Sequence, residues 1–248
     1  MKCCVIIPVF NHGAAIGAVA NAVRDHGLHC ILVDDGSDAS CAAVLDQLVA
    51  HHAFAFTLKR LSSNQGKGAA MLAGFRVAHA MGFTHALQID ADGQHNVADI
   101  PVFVELARQY PQRLICGRPV YDASVPKVRL YGRYLTHFLV FVNTLSRAIR
   151  DSMCGFRVYP LDATMQLIER VAIAERMDYD IDIAVRLYWS GLDIVNHDTP
   201  VTYPSDGVSH FRMARDNARI TRIHALLFLG MLRRLPQLLR RRDSGLKA

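Results

Sequence analysis

The stretch Leu87–Asn96, LQIDADGQHN, runs an apolar segment straight into Asp90 and Asp92, with Gln94 and His95 just beyond. Two carboxylates one residue apart at a strand end can converge on a hard divalent cation. Such an ion keeps open positions for diphosphate oxygens and offsets charge on a departing phosphate. Gln94 adds a neutral oxygen, so Asp92 and Gln94 are the expected metal ligands, with Asp90 supporting the ion directly, through water or through a sugar hydroxyl. A strand-end turn would use the same residue types. Of 22 acidic residues only Glu105, Glu169 and Glu175 are Glu. With so much Asp, an Asp-x-Asp triplet arises readily by chance, and three occur here.

Three further stretches carry chemistry. ILVDDGSD ends an apolar run in Asp34 and Asp35. A carboxylate there can accept hydrogen bonds from a base or ribose, or Asp35 and Ser37 can form an Asx turn that caps the next helix. SNQGKGAA sets Lys67 between two glycines at a helix start, where backbone N–H groups and a cation together favour an anion; a plain helix start with a solvated Lys is the alternative. MDYDID supplies Asp178, Asp180 and Asp182 near another helix start, where acids also serve as caps and dipole partners. Neither a Walker loop nor GxGxxG occurs, which argues against a P-loop nucleotidase and a redox dinucleotide.

The elements that must position these residues follow from periodicity. Apolar runs CCVIIPVF, HCILVDD, FAFTLKR and HALQID alternate with helical patterns over about 14–24, 39–50 and 68–80. Continuous apolar strands joined by crossover helices predict a mostly parallel sheet with helices on both faces, an α/β fold whose ligand crevice lies at the carboxyl ends of the strands. Beyond it come a helix over about 97–109, the strand RLICG, a long helix over about 128–149, a loop DSMCGFRVYP, helices near 161–171 and 179–190, and the strand LDIVNHDTPV.

The 248 residues, 51% hydrophobic, suit one large domain. The expected division is 1–205, with a nucleotide-binding half over 1–95 and an acceptor half over 96–205, followed by a tail over 206–248. Six cysteines without a CxxC pair suggest reduced, buried thiols in a cytoplasmic protein. MKCCVIIPVFN does not resemble a signal peptide, and Ala225–Leu232 falls far short of the roughly 20 residues of a spanning helix.

VIIPVFN, LVDDGS, NQGKGAA, QIDADGQH and DSMCGFR, in that order, resemble the signature stretches of family 2 glycosyltransferases, especially dolichyl- and polyprenyl-phosphate sugar transferases. The tail DGVSHFRMARDNARI is similar to small bacterial members associated with aryl-polyene lipids. The resemblance implies a GT-A fold, a UDP- or GDP-sugar donor, Mg²⁺ or Mn²⁺, and inversion at the anomeric carbon. On matching positions Pro8, Phe10, Val33 and Asp35 would hold the nucleotide, and Asp90, Ala91, Asp92 and Gln94 the metal and diphosphate. Arg129 and Arg133 would meet phosphate. Asp180 sits nearest the position of the acceptor-side acid, with Asp182 second, as a general base for a hydroxyl acceptor or an orienting group for a phosphate. The family's late phosphate clamp appears as SDGVSHFR, with His210 where Lys is usual and Arg212 two further on.

Arg212, Arg215, Arg219 and Arg222 recur at helical spacing against Ile220, Ile223, Leu226, Leu227 and Leu232, and RRLPQLLRRR then adds five arginines. A basic amphipathic helix of this kind suits an anionic membrane surface, or it docks on the protein with one face solvated. The net charge of +6 does not choose. Nucleic acid is disfavoured, because the arginines lack interleaved aromatics or a binding module. The reading is a metal-dependent inverting glycosyltransferase with a lipid-linked or membrane-proximal acceptor, peripheral on the inner face of the cytoplasmic membrane. Its rival is a non-catalytic nucleotide-binding protein on the same fold.

Overall fold

In the computed structural model the described residues are 1–121, 127–202 and 212–245, the side chains of 127–130 and 242–245 excepted. The chain opens as β1 (Cys3–Val9), α1 (Gly13–Asp25), β2 (His29–Asp34), α2 (Ala39–His51), β3 (Phe56–Arg60), α3 (Lys67–Ala80) and β4 (His85–Gln88). A 3₁₀ turn over Val97–Asp99 leads into α4 (Ile100–Gln109), then β5 (Leu114–Tyr121) and α5 (Lys127–Thr144). β6 (Arg157–Pro160), α6 (Leu161–Arg170), α7 (Tyr179–Trp189), β7 (Ile194–Val201) and α8 (Met213–Gly245) complete it.

The seven strands form one sheet in the order β3-β2-β1-β4-β6-β5-β7. All neighbours are parallel except at β6, which runs antiparallel to both β4 and β5. β6 corrects the sequence-based expectation of a loop through DSMCGFRVYP. Four residues beginning in Arg and ending in Pro carry little strand signal, and the pairing is supplied by the two strands between which they are inserted. α5 likewise stops at Thr144, short of the expected end near 149.

Side chains alternate across the sheet and build two cores. Cys4, Ile6, Ile31 and Val33 face one side with α3, α6, α7 and α8, while Val5, Ile7, Leu32 and Leu87 face the other with α1, α2 and α4. Burial on both faces is why these strands read as unbroken apolar runs. α8 seals the first core with Ile220, Ile223, Leu227, Met231 and Leu238. Among the described residues, no helix is long and apolar enough to cross a membrane.

The joint between α5 and α8 contains a buried histidine. His224 is 5% exposed and lies 3.3 Å from the Asn143 amide. Burial lowers its pKa from 6.5 to about 4, so between those values the unfolded chain takes up a proton that the native chain refuses. Stability therefore falls as pH drops through this window. We expect His224→Gln to remove about 2 kcal/mol of the stability difference between pH 7 and pH 4.5, read by urea unfolding of both proteins at both pH values.

Candidate active site

The carboxyl ends of β1, β2 and β4 open into a cavity of about 640 Å³. Pro8, Phe10 and Asp35 wall it from the first two strands, Lys67 enters from the start of α3, and Asp90, Ala91, Asp92 and Gln94 follow β4. Asp180 faces them from α7, and Arg212, just before α8, joins Arg215 and Arg219 from its first turns. Groups scattered over more than 200 positions thus share one space.

Lys67 is the centre of this arrangement. Its Nζ lies 2.8 Å from Asp90 Oδ1 and 2.8 Å from Asp180 Oδ2. Burial alone would lower its pKa, but the two carboxylates outweigh burial and raise it, so the ammonium stays charged. Asp90 shows the converse: burial would raise its pKa, while Lys67 and His95 pull it below the ordinary range. Asp180 Oδ1 accepts from Gln88 Nε2 at 2.9 Å, so both of its oxygens are engaged.

Asp92 differs. Its Oδ1 accepts from the Gln94 N–H at 3.0 Å, and burial together with Asp90 pushes its pKa up. A carboxylate whose charge is disfavoured in this way is suited to a divalent ion, which would relieve the repulsion. Among the described residues no three His, Cys, Asp or Glu side chains cluster as a closed metal cage. Asp90, Asp92 and Gln94 are oxygen donors on one wall of the cavity, a set that would leave a hard divalent ion positions for a ligand's oxygens.

Asp35 joins the cavity to the turn before α3. It lines the cavity, and its carboxylate accepts from Gln65 N–H at 2.7 Å and Gly66 N–H at 2.8 Å. It thereby ties the end of β2 to the turn that presents Lys67. Gly66 has φ +111°, and a Cβ there would lie 2.4 Å from the Glu175 carbonyl oxygen, so this turn requires glycine. The helix cap expected as the alternative for Asp35 and Ser37 comes instead from Asp38, which accepts from Cys41 N–H.

Some expected site residues are elsewhere. Val33 is fully buried in the core, so its side chain cannot meet a nucleotide. Asp182 is 1% exposed and spends its carboxylate on Ala174 N–H and Arg186, which removes it as an acceptor-side acid. Arg133 is bound in a fork to Asp151 at 2.6 and 2.8 Å and does not line the cavity. It fixes the 151–154 turn, whose Met153 does line it. The Arg129 side chain and His210 lie outside the described residues.

Sequence reasoning passed over a layer beneath the acids. Gln88 bridges Asp180 and the Tyr159 hydroxyl, and the fully buried Arg157 donates from Nη1 to the Asp180 carbonyl oxygen at 2.6 Å. His95 brings Nε2 to 3.7 Å from Asp90 Oδ2. Gly155 makes room for Asp90, since a Cβ would sit 2.4 Å from Asp90 Oδ2. A Gln inside the apolar run LQID and an Arg inside GFRVY were the available signals.

Residues 4–176 match the family described as Glycosyl transferase family 2. The chain belongs to this family. It is 25% identical to the polyprenol monophosphomannose synthase of Mycolicibacterium smegmatis over 87% of this chain and 82% of that one. To the undecaprenyl-phosphate mannosyltransferase of Micrococcus luteus it is 24% identical, over 86% and 88%. Among solved structures, glucosyl-3-phosphoglycerate synthase of Mycobacterium tuberculosis, in complex with Mn²⁺ and UDP-glucose, superposes with a TM-score of 0.66 at 15% identity, over 93% of this chain and 78% of that one. The fold is of the GT-A type, and the family 2 chain is a glycosyltransferase.

Proposed function

We propose that this family 2 glycosyltransferase moves a sugar from a UDP- or GDP-sugar to the phosphate of a polyprenyl-type lipid, inverting the anomeric centre. The observation that carries this reading is the state of Asp180, whose two oxygens already accept from Lys67 and Gln88. A general base would have to give up the Lys67 pair to take a proton. A phosphate acceptor is already a nucleophile and needs no base. The names of the relatives from M. smegmatis and M. luteus support a polyprenyl phosphate. So do Arg212 and Arg215 on the cavity wall, which have no ion pair among the described residues.

In this reading Pro8, Phe10 and Asp35 wall the nucleoside and Asp92 with Gln94 holds Mg²⁺ or Mn²⁺, Asp90 supporting. An ion held there would supply positive charge against the diphosphate as it departs. Lys67 keeps Asp90 and Asp180 in fixed relation, and Asp180 orients the acceptor. An acceptor phosphate oxygen forms the new bond to the anomeric carbon, and the electron pair of the broken C–O bond leaves with the diphosphate. Such an acceptor puts the enzyme at the inner face of the cytoplasmic membrane as a peripheral protein.

The test has two parts. Nucleoside diphosphates screened by thermal shift with Mn²⁺ should single out one base, since stabilisation grows with the logarithm of ligand concentration over Kd, about 2.7 kcal/mol at a hundredfold excess. The matching sugar donor should then label a short-chain polyprenyl phosphate but not the corresponding alcohol. Equal transfer to the alcohol would restore a base to the mechanism. Tight nucleotide binding with no transfer or hydrolysis would support a non-catalytic protein instead.

A further inference from the structure

Arg212, Arg215 and Arg219 line the cavity, and beyond them α8 and its neighbour α5 leave a face of the protein open. Among the described residues seventeen large apolar side chains are exposed, and eleven of them lie on α5 and α8. On α5 these are Tyr131, Tyr134, Leu135 and Phe138, exposed by 59–70% at the spacing of one helix face. On α8, Leu226, Phe228, Leu229, Leu232, Leu235 and Leu239 are exposed by 37–55%, while Leu227, Met231 and Leu238 are buried on the other side. The core accounts for one apolar side of α8 and leaves the second unexplained. The two helices pack together, and the exposed apolar area is on the order of several hundred Å², enough to mark an interaction surface.

We propose that α5 and the distal part of α8 form a docking face for an anionic lipid bilayer. Charge selects this occupant. No Asp or Glu occurs in α5 or between Asp216 and Asp243 of α8, and Asp216 is buried and paired with Arg219. Arg222, Arg233 and Arg240, at spacings of eleven and seven, share one flank of the helix, beside the leucines, and are exposed. A second copy packed on this face would set cations against cations with no carboxylate to receive them. Anionic headgroups receive the arginines, each contributing about 1 kcal/mol near the surface, while the leucines and Phe138 enter the acyl boundary and the tyrosines sit at headgroup level.

Arg215 continues the same arginine flank, seven residues before Arg222, and it lines the cavity. One helix would therefore run from the lipid surface to the mouth of the site, which gives a lipid phosphate a cationic route inward. That consequence rests on the transferase reading; the docking face itself does not.

The test is co-sedimentation of the full chain with vesicles of phosphatidylcholine alone or with about one-third phosphatidylglycerol. Wild type is expected to bind the anionic vesicles at least tenfold more tightly, with most of the preference lost in 0.5 M salt. Phe138→Gln/Leu232→Gln/Leu239→Gln should weaken binding tenfold or more, and Arg233→Gln/Arg240→Gln should abolish the lipid preference. Both variants should keep the unfolding midpoint and the nucleotide-dependent thermal shift of wild type. Failure of wild type to bind anionic vesicles, or unchanged binding by the triple variant, overturns the proposal. So does a dimer in sedimentation velocity that the triple variant abolishes while vesicle binding is absent. Loss of the nucleotide shift in wild type would instead count against the transferase reading alone.

Discussion

Asp92→Asn should lower sugar transfer by about a thousandfold while leaving the ligand-free protein no less stable than wild type. Transfer falls because the substitution keeps the shape of the group and removes the charge that would hold a divalent ion against the donor diphosphate. Stability behaves oppositely, since burial and the neighbouring Asp90 raise the Asp92 pKa. A carboxyl raised in this way is one whose charged form the fold disfavours, so a neutral amide relieves strain at neutral pH. The pair of measurements is a transfer assay over a Mn²⁺ titration and urea unfolding in chelator. If the variant instead unfolds more easily and retains its rate at saturating Mn²⁺, Asp92 is a turn residue and the metal is held elsewhere.

The first four strands and three helices could be placed from residue pattern alone because both faces of the sheet are buried and each apolar run is bounded by turn chemistry. DADGQ, GKG and the Asp after the second strand were visible as polar groups where apolar runs end, and the fold gathers them because strand ends of a parallel sheet point the same way. β6 was hidden because its pairing comes entirely from β4 and β5. Asp180 and Asp182 could not be told apart by type, since two positions along a helix turns one carboxylate toward Lys67 and the other toward Arg186. Arg133 looked like a phosphate contact because nothing local reveals Asp151 eighteen residues later. Arg215 and Arg219 looked like surface charge for the same reason: the cavity wall they form depends on where α8 docks.

Lys67→Met is expected to separate metal affinity from catalysis, a split that neither a plain helix start nor a solvated lysine would produce. The Lys67 ammonium lies between Asp90 and Asp180, and among the described residues no other cation pairs with both. Its positive charge works against a divalent ion arriving alone at the neighbouring Asp92. Replacing it with an apolar side chain of similar length should strengthen Mn²⁺ binding to the nucleotide-free protein by about tenfold. Turnover should nevertheless fall by about a hundredfold, because Asp90 and Asp180 lose the group that sets them in relation and face one another without the cation between them. In wild type, Mn²⁺ and the nucleoside diphosphate should bind cooperatively, since the diphosphate charge offsets the Lys67 field; by reciprocity each raises the other's affinity by the same factor. Calorimetry of Mn²⁺ with and without the diphosphate, in both proteins, measures all four affinities. Equal Mn²⁺ affinity in the two nucleotide-free proteins would mean that Lys67 does not sense the ion, and the site would then have to be built without Asp92 at its centre.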